Sequence, residues 1–177
     1  MNIDLNSLKP LITKVDAWID CYLATHKNSR MRVSDLGFPN LPAYFAPRIL
    51  DNSYTVYTND IQAPPLAEFG IDGLSFFESL NANGITYKDT FFLTTDQTRR
   101  ESIHFHELIH IIQWSELWAE DFIMVYGVNL LEYGYRQHPL EVIAYDLTER
   151  FDQGLPIKDL ESMVRSHARD LANQLST

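Results

Sequence analysis

Along the first 25 residues apolar side chains recur every three or four positions: Leu8, Leu11, Ile12, Val15, Trp18, Ile19, Tyr22 and Leu23. That spacing puts them on one stripe of a helix. It predicts a scaffold helix from a cap at Asn6 or Ser7 to about Thr25, with Pro10 tolerated in the first turn. The pattern then dissolves. Residues 26–36 are polar and basic (Lys27, Arg30, Arg32) and read as a connection. Residues 37–66 hold Pro39, Pro42, Pro47, Pro64 and Pro65, a density that forbids long helix. Between those prolines, the run from Ser53 to Thr58 reads as a short strand. Leu74, Phe76, Phe77 and Leu80 suit a short helix, and Asn83-Gly84 marks a turn.

From Ile85 to Thr94 the chain is rich in β-branched and aromatic residues and is expected to form one strand. Helical patterning follows to the end. A helix is predicted over about 96–117, with Thr94, Thr95 and Asp96 at its start. A second covers about 120–137, with Phe122, Val125, Tyr126, Leu130 and Tyr133 on one side. Pro139 forces a fresh start at His138. A third helix runs from Pro139 to about Phe151, stopped by Gly154 and Pro156, and a last one from about Ile157 to Leu175. The expected fold class is α+β, a mostly helical single domain over 1–177 with a small sheet. Within it, 1–84 is an N-terminal scaffold, 85–153 the chemistry-bearing part and 154–177 a C-terminal helix.

Chemistry concentrates in one helix. The segment from Ser102 to Trp114 contains His106-Glu107-x-x-His110, the H-E-x-x-H pattern. Residues four apart on a helix lie one turn apart on nearly the same face, so both imidazoles can aim at one point. Glu107 lies about 100° round the helix, within reach of a water activated by a metal held there. This is the arrangement of a zinc ion with a carboxylate general base. A shuffled chain of this composition would carry the pattern roughly 1% of the time. His104, two residues from His106, points about 200° away and reads as a non-ligand.

A catalytic zinc ion takes three protein ligands and keeps one open position. Glu141 is the candidate third ligand. Thirty residues separate it from His110, enough for two helices and a turn to bring the chain back. As a first-turn residue after Pro139, its carboxylate is favoured by the helix dipole, and small Ala144 permits close helix packing. A first-turn Glu is also a common cap, and His138 is the alternative ligand. Asp146 and Glu149 are weaker alternatives that could orient a ligand histidine.

The run His-Glu-Leu-Ile-His-x-x-Gln-Trp, a Tyr-rich helix, and then Tyr-x-x-His-Pro-Leu-Glu-x-x-Ala-Tyr resembles the small gluzincin-type zinc metallopeptidases and related uncharacterised bacterial families. The resemblance covers about residues 85–150. It implies a zincin-like domain in which His106, His110 and Glu141 hold Zn2+ and Glu107 is the general base. His138 stands where Asn is commoner, which leaves room for a His138 ligand. The thermolysin-like Asn-Glu-x-x-x-Asp pattern is absent, since Tyr145 stands four residues after Glu141, so no Asp partner is carried over.

The implied activity is hydrolysis of peptide bonds in a peptide or protein substrate. Tyr133, Tyr135 and Tyr145 are candidates for a phenol that stabilises the oxyanion, with Tyr135 and Tyr145 preferred. The predicted strand over 85–94 could offer its edge to an extended substrate. Two other functions stay open: a binding protein with a structural or vestigial zinc site, and a zinc hydrolase of a non-peptide amide.

Composition narrows the partners. A net charge of −10 argues against nucleic acid and against an anionic membrane surface. The lone Cys21, among Trp18, Ile19, Tyr22 and Leu23, reads as a buried, inert thiol and excludes an internal disulfide. With no signal-like N-terminus, a cytoplasmic location is expected.

Overall fold

The computed structural model describes residues 5–69 and 83–175, with side chains from Leu8 onward. At its centre every side chain from His104 to Trp114 is buried. A helix apolar around most of its circumference needs cover on every side. Helix α1 (Leu5–Thr25), a four-stranded sheet and two later helices supply that cover. The architecture is the mostly helical α+β arrangement expected from the patterning.

The stripe of α1 faces inward as predicted, with Ile12, Val15, Ile19 and Tyr22 buried. Asn6, Ser7 and Pro10 lie inside the helix rather than at a cap or in the first turn. Cys21 is exposed, contrary to the sequence reading. Although flanked by apolar residues, it falls between stripe positions and points away from the core.

The polar segment 26–36 is more than a connection. It contains strand β1 (Met31–Arg32), between single 3-10 turns. The Pro-rich segment holds a 3-10 turn (Leu41–Ala43), a five-residue helix, α2 (Pro47–Asp51), and then β2 (Tyr54–Tyr57). The expected strand over 85–94 is in fact a hairpin, β3 (Gly84–Tyr87) and β4 (Thr90–Leu93). Lys88 turns the chain with a left-handed φ of 55°. Its ammonium is held by Asp16, at 2.8 Å, and by Asp20 on α1. Sheet order is β1-β2-β4-β3, with β2 and β4 parallel. The helix expected around Leu74, Phe76, Phe77 and Leu80 lies outside the described residues.

Helix α3 (Glu101–Tyr133) begins later than predicted, because 95–97 form a separate 3-10 turn and Arg100 is extended. The expected boundary near Leu117 is real: Trp118 leaves helical geometry at φ 60°, ψ 171°. In a straight helix Trp114 and Phe122 would be about 12 Å apart along the axis. Their rings instead stack at 3.9 Å, so the second arm, 119–133, folds back over the first. Gly134, with φ 69°, ends that arm and starts the 3-10 turn Tyr135–Gln137. Helix α4 (Pro139–Asp152) then returns along α3, with Ala144 fully buried where the two meet. Helix α5 (Leu160–Leu175) closes the opposite side, where Glu116 accepts from Arg165 and Arg169. Among the described residues no helix is long and apolar enough to cross a membrane.

Burial disfavours the Lys88 ammonium, but the hydrogen bonds and charges of Asp16 and Asp20 outweigh it and raise its pKa. That contribution to stability is present below the unfolded lysine value of about 10.4 and is lost as pH rises through the folded value. Lys88→Met is therefore expected to lower the thermal midpoint at pH 8 and to flatten the loss of stability above pH 10. Melting curves across that range check it, and an unchanged alkaline slope would contradict it.

Candidate metal centre

Helix α3 presents His106 and His110 one turn apart on the face turned toward α4. Helix α4 presents Glu141 in its first turn. The three donor atoms form a near-equilateral triangle. His106 Nε2 and His110 Nε2 are 3.1 Å apart, and Glu141 Oε2 lies 3.5 Å and 3.4 Å from them. Tetrahedral ligands about 2.1 Å from a metal stand about 3.4 Å from one another. The three side chains, all buried, thus have the spacing to hold a metal ion. No other such group occurs among the described residues.

Neighbouring groups decide which atoms face the centre. Gln113 donates its amide to Leu140 O at 3.0 Å, so its Oε1 accepts from His110 Nδ1 at 2.8 Å. The Thr148 hydroxyl donates to Ala144 O at 2.7 Å and offers its oxygen to His106 Nδ1 at 3.4 Å. With each Nδ1 acting as donor, each Nε2 presents a lone pair to the triangle. Tyr126, on the second arm of α3, donates to Glu141 Oε1 at 2.8 Å. Glu141 Oε2 is buried without a hydrogen-bond partner. An orphaned carboxylate oxygen beside two imidazole lone pairs is the donor set a borderline-soft dication prefers.

Burial alone would raise the Glu141 pKa, yet the charge of His110 and contacts from both rings hold it well below the usual carboxylate range. His110 is disfavoured as a cation by burial but is pushed up to about 9, chiefly by Glu141. Glu107 moves the other way. It is buried, and burial raises its pKa against the pull of His106, His110 and Thr86.

Glu107 is fixed from the sheet. Thr86 Oγ1 donates to its Oε2 at 2.6 Å, and Trp114 Nε1 anchors Thr86 O at 3.1 Å. Gly84 gives the carboxylate room: a Cβ there would lie 2.6 Å from Leu93 Cδ2 and closer still to Glu107 Oε1.

His138 is not a ligand. Its Nδ1 accepts from Leu140 N at 3.1 Å, capping α4, and its Nε2 donates to Tyr126 O at 3.0 Å. His104 is likewise engaged elsewhere, by Arg100 O and the Tyr57 hydroxyl. Asp146 and Glu149 are exposed and orient neither histidine; Gln113 and Thr148 occupy those places. Tyr145 is half exposed, with its ring 4.7 Å from that of His106. Its hydroxyl is 3.5 Å from that of Tyr135, whose pKa is raised by burial and by Glu141. Tyr133 is exposed.

Sequence reasoning missed Gln113, Thr148, Tyr126, Thr86 and Gly84. Gln113 carried a usable signal, standing three residues after His110 on the same face. Thr148 stands two turns after Glu141. Tyr126 and Thr86 carried none, because their roles depend on the reversal at Trp118 and on the hairpin. The chain matches no protein-family model, no curated protein and no solved structure.

Gln113→Leu and Tyr126→Phe are each expected to weaken binding of a divalent metal ion at the triangle about 10–100-fold, measured by competition with a chelator. Affinity equal to wild type in both would contradict the orienting roles given to these residues. Gly84→Ala should lower the melting temperature, since Glu107 or Leu93 must move; an unchanged midpoint would count against the close packing of β3 on Glu107.

Proposed function

We propose that the protein is a zinc-dependent peptidase of the gluzincin type, with His106, His110 and Glu141 as ligands. The observation that carries this reading is the triangle of two Nε2 atoms and one Oε2 atom at 3.1–3.5 Å. The H-E-x-x-H carboxylate, Glu107, lines one cavity together with these three residues. A zinc ion held by these residues would supply Lewis acidity and lower the pKa of water toward neutrality.

The chain's own groups do the rest. Glu107 accepts the proton of the attacking water and delivers it to the departing amine. Burial, which raises its proton affinity, suits a group that must both take and return a proton near neutral pH. Thr86 holds Oε2 in place during that exchange. The Tyr145 ring lies beside that of His106 and its hydroxyl is near that of Tyr135, so one of these two phenols donates to the oxyanion. Among the described residues strand β3 is an outer strand of the sheet and adjoins Glu107, which suits an extended peptide more than a compact amide.

The alternative of a structural or vestigial zinc site in a binding protein has less support. A structural zinc takes four protein ligands, whereas three donor groups converge among the described residues. A zinc hydrolase of a non-peptide amide would use the same proton transfers and differs in substrate alone.

About one zinc per chain is expected in untagged wild-type protein, with clear loss in Glu141→Ala. Glu107→Gln should retain the zinc and lose peptide hydrolysis by about 10²-fold or more. Full activity in Glu107→Gln would end the role given to that residue. Wild-type protein that takes up no added zinc would end the proposal.

A further inference from the structure

The chain reverses at Trp118 and at Gly134 with nearly the same backbone, φ 60°, ψ 171° at the first and φ 69°, ψ 171° at the second. That region of backbone space is open essentially to glycine alone. Gly134 meets the requirement, whereas Trp118 carries the strain. Packing does not explain the indole, which is 79% exposed, more than any other large apolar side chain among the described residues. Strain that the surrounding fold imposes gathers at ligand sites.

Trp118 lines a cleft of about 470 Å3. Ile111 and Ser115, also in its lining, stand roughly 140–180° round α3 from His106, so the cleft opens away from the metal centre. The apolar lining comes from Ile49, Ile111, Ile112 and Trp114. Most of the polar lining is already engaged. Asn52, Ser53 and Ser115 donate to Arg48 O, Ile49 O and Ile112 O. Lys88 is held by Asp16 and Asp20, and Asp89 by Arg30.

The remaining polar groups are two arginines. Arg48 and Arg165 line the cleft and meet on one oxygen, Glu161 Oε1. Arg165 also donates to Glu116 Oε2 at 3.2 Å, and Arg169 donates to Glu116 Oε1 at 2.6 Å. Three guanidinium groups thus share two carboxylates, a surplus of one positive charge in a chain of net charge −10. Neither Glu161 nor Glu116 lines the cleft, and neither Arg48 nor Arg165 uses all its N–H donors in these pairs.

Size and charge together select an occupant. A cavity of about 150 Å3 admits benzene, so this cleft has room for a fused-ring body and a polar group. A surplus of one positive charge matches a monoanion, and the guanidinium fork matches a carboxylate. We propose that this cleft is a second ligand site, for a small molecule with a flat apolar body and one carboxylate, the body against Trp118 and the apolar lining and the carboxylate at Arg48 and Arg165. The inference stands apart from the peptidase reading.

The experiment titrates the full chain calorimetrically with 2-naphthoate, with neutral 2-naphthamide and with cationic 2-naphthylmethylamine. It compares wild type, Trp118→Gly and Arg48→Gln, and records the melting midpoint and the oligomeric state of each. Wild type is expected to bind 2-naphthoate saturably, about tenfold or more tightly than the amide, and to reject the amine. Trp118→Gly should weaken 2-naphthoate about tenfold or more, with a melting midpoint at or above that of wild type because glycine relieves the backbone. Arg48→Gln should reduce the preference for 2-naphthoate over the amide. Absence of binding, or equal binding of all three probes, would overturn the site. Affinity for 2-naphthoate that Trp118→Gly leaves unchanged would place the probe elsewhere and overturn it too. A lower midpoint in Trp118→Gly would make the indole a packing residue and remove the reason for assigning it to a ligand. A wild-type dimer that Trp118→Gly dissolves would replace the small ligand by a second copy of the chain.

Discussion

Two imidazole lone pairs and a carboxylate oxygen directed at one buried point repel one another, and the surrounding fold holds them there. Glu141 Oε2 has no hydrogen-bond donor, and the two Nε2 lie 3.4–3.5 Å from it. Burying a carboxylate so poorly compensated is costly. The cost falls when a cation lies among the three donors, either a proton shared with His110 or a metal ion. The raised proton affinity of His110 and the depressed one of Glu141 are two expressions of that convergence.

Each neighbouring element keeps the donors from relaxing apart. Gln113 ties His110 to the backbone of α4, and Thr148 ties His106 to the same helix. Tyr126 ties Glu141 to the second arm of α3, while His138 caps α4 and stacks on Tyr126 at 4.2 Å. Those ties depend on the backbone departures at Trp118 and Gly134, which end the two arms of α3 and let α4 start afresh. The reversal therefore does two jobs, completing the support of Glu141 and bringing apolar residues of the second arm into the lining of the cavity that also holds the three donors.

Much of this was legible in the sequence, for reasons local to each element. The α1 stripe, the β2 strand, the break near Leu117 and the restart at Pro139 are written in apolar spacing, β-branching and proline placement. The histidine pair follows from helical geometry alone, and the structure brings Glu141, the glutamate implied by resemblance, to the same point. What failed was non-local. The 85–94 run has the composition of one strand, and only the turn at Lys88, held by carboxylates on α1, divides it. Cys21 was misjudged by its neighbours in sequence when its helical phase places it outside. His138 drew notice as an imidazole, yet its position before Pro139 makes it a cap. Thr86 and Tyr126 act across the fold, and no periodicity announces them.

X-ray absorption at the zinc edge of the zinc-loaded protein reads the donor set at the triangle. Two imidazole nitrogens and one carboxylate oxygen are expected at about 2.0–2.2 Å, with the remaining coordination from oxygen that the protein does not supply. A sulfur shell near 2.3 Å, a third imidazole, or four protein ligands would contradict it.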